Sequence, residues 1–234
     1  MTNLIAAIVF FIALHVVVAG SPLRYVLVAR LGERIYRLLF AIASVLGLVW
    51  IIAAYGIARN ETEFLWARPR GLIDSAVIVM FFVFLLVVPG LLTPNPTLVS
   101  MEGLLRKEAP VTGILRITRH PFLWGVVIWG VLHLSMTGHS AAAWLFGGFA
   151  VVAFLGTFSI DRKRAHDFGQ HWVRFRQATS NVPFAAILTR RNKLKLGEVG
   201  ALRWIAAVVA FAVVLYAHQW LFGKSPLPGG MTFY

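Results

Sequence analysis

The sequence predicts an all-α fold, a polytopic membrane helix bundle with about six transmembrane helices and short interfacial helices. Three observations carry this. Of 234 residues, 59% are hydrophobic and only 13% are charged, whereas soluble domains carry about 25% charged residues. The mean hydropathy is +0.78. The apolar residues also gather into six stretches, at 3–22, 38–58, 72–92, 121–137, 140–160 and 204–222, each near the ~20 residues that a helix needs to cross a bilayer.

The first stretch is N-terminal, but "MTN" holds no basic side chain and the first Arg, Arg24, follows the apolar run, the flank of a retained span and not of a cleaved signal. The third stretch stops at "TPNP", where Pro94 and Pro96 forbid further helix, and a short interfacial segment, 98–107, follows. The fourth starts after "TRHP". The fifth continues into "IDRKRAHDFGQHWVRFRQ", where Phe168, Trp172, Phe175 and, less regularly, Ala165 recur at helical spacing among basic residues; such a helix is expected to lie at the membrane interface. Pro183 breaks it, and "RNKLKLGE" leads into the last span. No repeat or soluble domain is visible, so 1–234 reads as one membrane domain.

Charge sets the orientation, because basic connections stay on the cytoplasmic side. The connections after the first, third and fifth stretches hold 18 of the 22 Lys and Arg, while Arg59, Arg68, Arg70 and Lys224 fall on the other side. Both termini are therefore expected on the non-cytoplasmic face. Topology also accounts for the net charge of +13, which makes membrane lipids the expected partner and nucleic acid not one. The oligomeric state is not legible. With no cysteine, disulfides, thiolate metal sites and thiol nucleophiles are excluded.

Gly125, Gly130, Gly147, Gly148 and Gly156 are places where helices can approach closely, or where missing side chains leave room for a flat ligand. Trp124 and Trp129 read as packing or belt residues. Of seven histidines, His139, His166 and His171 fall in or near aqueous connections. His15, His120, His133 and His218 lie in or at the ends of apolar stretches, where ionisable groups are costly and point to function. Interhelical hydrogen bonding, haem or metal ligation and proton transfer are all open to them. His120 and His133 stand roughly 20 Å apart along one helix and cannot share a small ligand. Depth in the expected topology pairs His15 with His120 and His133 with His218.

"HVVVAGSPLRYVLVARLGERIYRLLFAIASVLGLVWIIAAYGIAR", "RHPFLWGVVIWGVLHL", "LFGGF" and "TSNVPFAAI" resemble, in order and over nearly the whole chain, the NnrU family of bacterial membrane proteins. That family is similar to the plant and cyanobacterial 15-cis-zeta-carotene isomerases. The resemblance implies a bacterial inner-membrane protein and, in the isomerase branch, haem b held by histidines, with a cis double bond of a lipophilic polyene isomerised without net redox change. The family's candidate axial ligands match His15 and His133, with His120 and His218 as substitutes, and no catalytic residue is singled out. The isomerase branch is also associated with a cysteine near the second histidine; Gly130 stands nearby here. NnrU-named members are further associated with denitrification.

"RHP" followed after the next span by an acidic residue and "FGQHWVRF…VPF" also resembles integral membrane methyltransferases such as isoprenylcysteine carboxyl methyltransferase. That alternative implies S-adenosylmethionine held near His120 and Asp161. Arg162 stands where those enzymes have a second carboxylate, and a cation there repels a sulfonium. Arg119, His120, Asp161 and Arg164 are expected to form a polar cluster in either case, with Arg119 pairing Asp161 as the plain structural role. A third class is a non-enzymatic assembly factor whose histidines only bond between helices.

Overall fold

The structure, a computed structural model, describes residues 1–67, 69, 71–107 and 111–227, without the side chains of Ile73 and Asp74. Arg68 and Arg70, counted above on the non-cytoplasmic side, lie outside these residues. Nine α-helices are present among the described residues: α1 (Thr2–Ala13), α2 (Leu23–Leu31), α3 (Glu33–Ala58), α4 (Leu72–Leu92), α5 (Pro121–Thr137), α6 (Ser140–Phe168), α7 (Gln170–Ala178), α8 (Ala185–Leu188) and α9 (Ala201–Phe222). There is no strand among them, only an isolated bridge between Phe64 and His139. The fold is an all-α membrane bundle.

Each of the six apolar stretches lies largely on helix, and the helices differ in how far each could reach across a membrane. Four helices, α3, α6, α9 and Ser75–Leu92 of α4, are long and apolar enough to cross a membrane. The first stretch becomes half of a bent pair, Thr2–Val18 and Leu23–Leu31, at 78° to each other. The bend falls at Gly20, Ser21 and Pro22, where Cβ at Gly20 would collide with the Val16 carbonyl and proline cannot continue the hydrogen-bond ladder. α5 is shorter, 17 residues between Pro121 and a turn at Gly138. Gly138 has φ +64° and its Cβ would overlap the Trp66 carbonyl, so only glycine closes that turn.

The contacts divide the chain into two compact units. The first comprises Met1–Arg68 and Trp129–Ile160, the second Pro69–Ile128 and Asp161–Tyr234.

In the first unit α1 packs along α3, and Leu4, Ala7, Ile8, Ile51, Ala54, Ala58 and Ala141 form its buried core. Small residues allow the approach: Gly148 faces Ile8, Gly47 faces Phe10 and Phe11, and Gly130 faces the Phe146 carbonyl and Ala150. After Ala13 the chain passes through one π-helical turn, Leu14–Val18, which carries His15. Such a bulge re-aims side chains and recurs at functional sites.

In the second unit α4 packs on α9, with Phe211 edge-on to Phe81 and Phe84. Gly125 of α5 lies against Val87, and Gly90 of α4 against the Pro121 ring. A second core joins Leu86, Leu105, Ile114, Leu115, Ile117, Trp172 and Phe175. The apolar stripe of the helix read as interfacial packs on protein: Trp172 and Phe175 of α7 are buried. The 3-10 turns Glu102–Lys107 and Gly113–Arg116 supply the apolar partners that make this burial more favourable than contact with head groups.

Candidate functional site

Two polar constellations stand out in this apolar chain, one in each unit. The second unit holds the denser. The segment "TRHP" runs into α5 with Pro121 as its first residue, a position where the missing N–H costs nothing. Just ahead of it, Arg119 is 5% exposed and His120 2%. Arg119 Nε donates to both carboxylate oxygens of Asp161 on α6, at 2.9 and 3.1 Å, and its Nη2 bonds to Oδ2. His120 Nε2 lies 2.7 Å from Asp161 Oδ1, and Asn181 Nδ2 approaches Oδ2 at 3.4 Å. Arg119 also lies over the Trp172 ring at 5.5 Å.

Main-chain bonds lock the same segment. Arg119 N–H donates to the Ser180 carbonyl at 3.0 Å. The Arg119 carbonyl accepts from Asn95 Nδ2 at 3.0 Å and Thr97 Oγ1 at 2.8 Å. Thr118 Oγ1 donates to the Asn181 carbonyl at 2.5 Å, and Trp124 Nε1 to Asn181 Oδ1 at 3.1 Å. Phe184 N–H bonds the Ile117 carbonyl at 2.8 Å, which helps to hold Phe184 at φ 65°, an uncommon conformation for a bulky residue. Arg164 Nε donates to the Pro96 carbonyl at 2.9 Å and its Nη2 to that of Leu98 at 3.2 Å. "TPNPT", "TRHP" and "TSNVPF" therefore meet around Asp161.

Burial holds the His120 ring below its ordinary imidazole range, against the opposing pull of Asp161. With the ring neutral and the carboxylate only accepting, Nε2 carries the hydrogen and Nδ1 the lone pair. Nδ1 is buried without a hydrogen-bond partner. Both oxygens of Asp161 already have donors, an arrangement that does not favour the S-adenosylmethionine site considered for His120 and Asp161.

The first unit holds His15 and His133 in a different setting. His15 Nδ1 lies 2.9 Å from the Phe11 carbonyl and His133 Nδ1 2.9 Å from that of Trp129, each one helical turn back. A carbonyl only accepts, so Nδ1 carries the hydrogen in both, and in the neutral ring the lone pair lies on Nε2. Aromatic rings flank both: His15 sits 4.3 Å from Phe11 and 5.2 Å from Phe40, His133 5.2 Å from Trp129 and 4.9 Å from Phe146. Phe11 touches Phe149 at 5.7 Å, and Phe149 touches Trp129 at 6.1 Å. One continuous aromatic train thus runs from His15 to His133.

Neither pair favoured by depth falls within one unit, whereas His15 and His133 do. His218, in the second unit, has Nδ1 2.8 Å from the Lys224 carbonyl just past the end of α9. Among the described residues no group of three or more His, Asp or Glu is arranged to hold a metal ion. A centre completed by two histidines and a macrocycle needs no such group.

The family model described as NnrU protein matches residues 3–226. The chain belongs to the NnrU family. Two curated relatives carry the name 15-cis-zeta-carotene isomerase, chloroplastic. That of Arabidopsis thaliana is 28% identical over 200 residues, covering 83% of this chain and 54% of the relative. That of Zea mays is 32% identical over 192 residues, covering 80% and 52%. This NnrU-family chain thus spans about half the length of the curated relatives it matches. No solved structure gives a significant match.

Sequence reasoning singled out Arg119, His120, Asp161 and Arg164 and missed Asn95, Thr97, Thr118, Ser180 and Asn181. Asn95 between two prolines and Asn181 two residues before Pro183 were the available signal, since polar amides in irregular segments of so apolar a chain need buried partners.

Proposed function

We propose that this NnrU-family protein is a membrane-embedded cis–trans isomerase of a long lipophilic polyene, 15-cis-zeta-carotene or a close analogue, with haem b held between His15 and His133. The observation that carries the reading is the shared setting of these two rings. Each has Nδ1–H on a main-chain carbonyl, the second bond that ligating histidines usually make and that directs Nε2 toward a metal. Both lie in one unit along one aromatic train.

When bound, haem would supply reversible electron exchange with the polyene, which lowers the barrier to rotation about a double bond and leaves no net redox change. Rotation moves no proton, so His15 and His133 act here by orienting and not as acid or base. Phe11, Phe40, Trp129, Phe146 and Phe149 exclude water and offer flat apolar surface to a substrate entering from the bilayer. The basic connections would face the cytoplasm of a bacterial cell and contact membrane lipids, with both termini across the inner membrane. A denitrification-linked membrane factor would use the same histidines without acting on a polyene.

The test is an absorption spectrum of detergent-purified protein from haem-supplied cells, oxidised and reduced, beside His15→Ala and His133→Ala. A Soret band with sharp reduced α and β bands, lost or shifted in both variants, is expected, together with conversion of 15-cis-zeta-carotene by the parent protein alone. A colourless parent protein at full haem supply overturns the cofactor assignment. A coloured one that leaves the polyene unchanged overturns the isomerase assignment.

A further inference from the structure

Beside His15 the first unit holds a second polar feature that the ligand assignment does not use. Phe40 is edge-on to the His15 ring at 5.2 Å, and Tyr36, one turn earlier on α3, stacks on Phe40 at 6.2 Å. Tyr36 is 6% exposed, and its hydroxyl is buried without a hydrogen-bond partner. A buried hydroxyl left unbonded is costly, so a ligand group that accepts from it is favoured.

Charged groups lie beside it. Arg24 lies over the Tyr36 ring at 5.7 Å and donates to Glu33 at 2.9 Å, and Arg37 donates to the same Glu33 oxygen at 2.7 Å. Two guanidiniums share one carboxylate oxygen beside a buried O–H donor. Both groups suit an anionic oxygen ligand. They also lie where α2 and α3 carry the basic connection, the end of the spans at which a charged group reaches the membrane surface.

We propose, resting on the haem reading above, that Tyr36 Oη and Arg24 receive the propionate carboxylates of the cofactor whose iron His15 holds. Tyr36 would donate a hydrogen bond to a carboxylate oxygen, and Arg24 would supply the countercharge. Tyr36 is a positioning residue in this role, since it sets how the macrocycle lies and touches no reacting double bond.

The experiment titrates haem b and its dimethyl ester, whose propionates are capped, into the full-length detergent-solubilised apoprotein, following the Soret band for the parent, Tyr36→Phe and Arg24→Gln. Binding of haem b about tenfold or more tighter than the ester is expected in the parent, because hydrogen bonds to charged groups contribute about that factor. In Tyr36→Phe, which removes only one oxygen, that preference should shrink several-fold with the reduced α and β bands unmoved, and Arg24→Gln should shrink it too. Equal affinity of the parent for both porphyrins, or a preference untouched in both variants, overturns this proposal and leaves the haem reading standing. Failure of the parent to bind either porphyrin overturns both.

Discussion

Replacing Asp161 by Asn keeps the outline of the side chain and withdraws the charge that Arg119 and His120 face. Arg119 is nearly buried, and its guanidinium would lose its anionic partner while staying out of water. Removing one member of a buried pair typically costs ~3–5 kcal/mol, and the partial exposure of Asp161 places this case toward the lower end. Asp161→Asn should therefore lower the thermal unfolding temperature in detergent markedly, with the loss following Arg119 and not haem content. A variant as stable as the parent would show that the cluster is not a structural lock. At this scale the identities of Arg119, His120 and Asp161 were legible because charge is rare in an apolar chain. Their partners Asn95, Thr97 and Asn181 were not, because the bonds join segments up to 63 positions apart.

The two 3-10 turns Gly113–Arg116 and Leu196–Val199 are tied by Glu198, which accepts from Arg116 Nε at 2.6 Å, from Arg116 Nη2 at 3.0 Å and from Gly113 N–H at 3.1 Å. These donors hold its carboxyl down at about 2, from an ordinary 4.5. A depressed carboxyl contributes stability that is present above its unfolded value and lost as pH falls through its folded value. The tie should therefore weaken from pH 4.5 down toward about 2. Glu198→Gln should remove that part of the acid dependence and leave neutral-pH helix content intact, as read by circular dichroism on unfolding scans. Parallel acid profiles for parent and variant would contradict the assignment. For α7 the periodicity was readable, but its burial was not, since a stripe such as Trp172 and Phe175 fits lipid and protein equally well until Leu105, Ile114 and Leu115 are placed beside it.

Across the whole molecule the expected orientation is open to direct measurement, because the chain has no native cysteine. Asn60→Cys should react with a membrane-impermeant maleimide in cells whose outer membrane is permeabilised, and Lys193→Cys only after the inner membrane is opened. The reverse pattern would invert the topology, and the face assigned to the Tyr36 end with it.

The sequence by itself determined the all-α membrane class, the six helical stretches and the family, because hydropathy and ordered motifs are local properties of the chain. It also named His15 and His133. What only the tertiary structure decided is their shared unit and aromatic train, the bend after the first stretch, the inward face of α7 and the meeting of three proline-bounded segments around Asp161. Each of these depends on which distant side chain fills the neighbouring space. Depth along isolated helices cannot supply that, whereas packing places His15 and His133 in one unit.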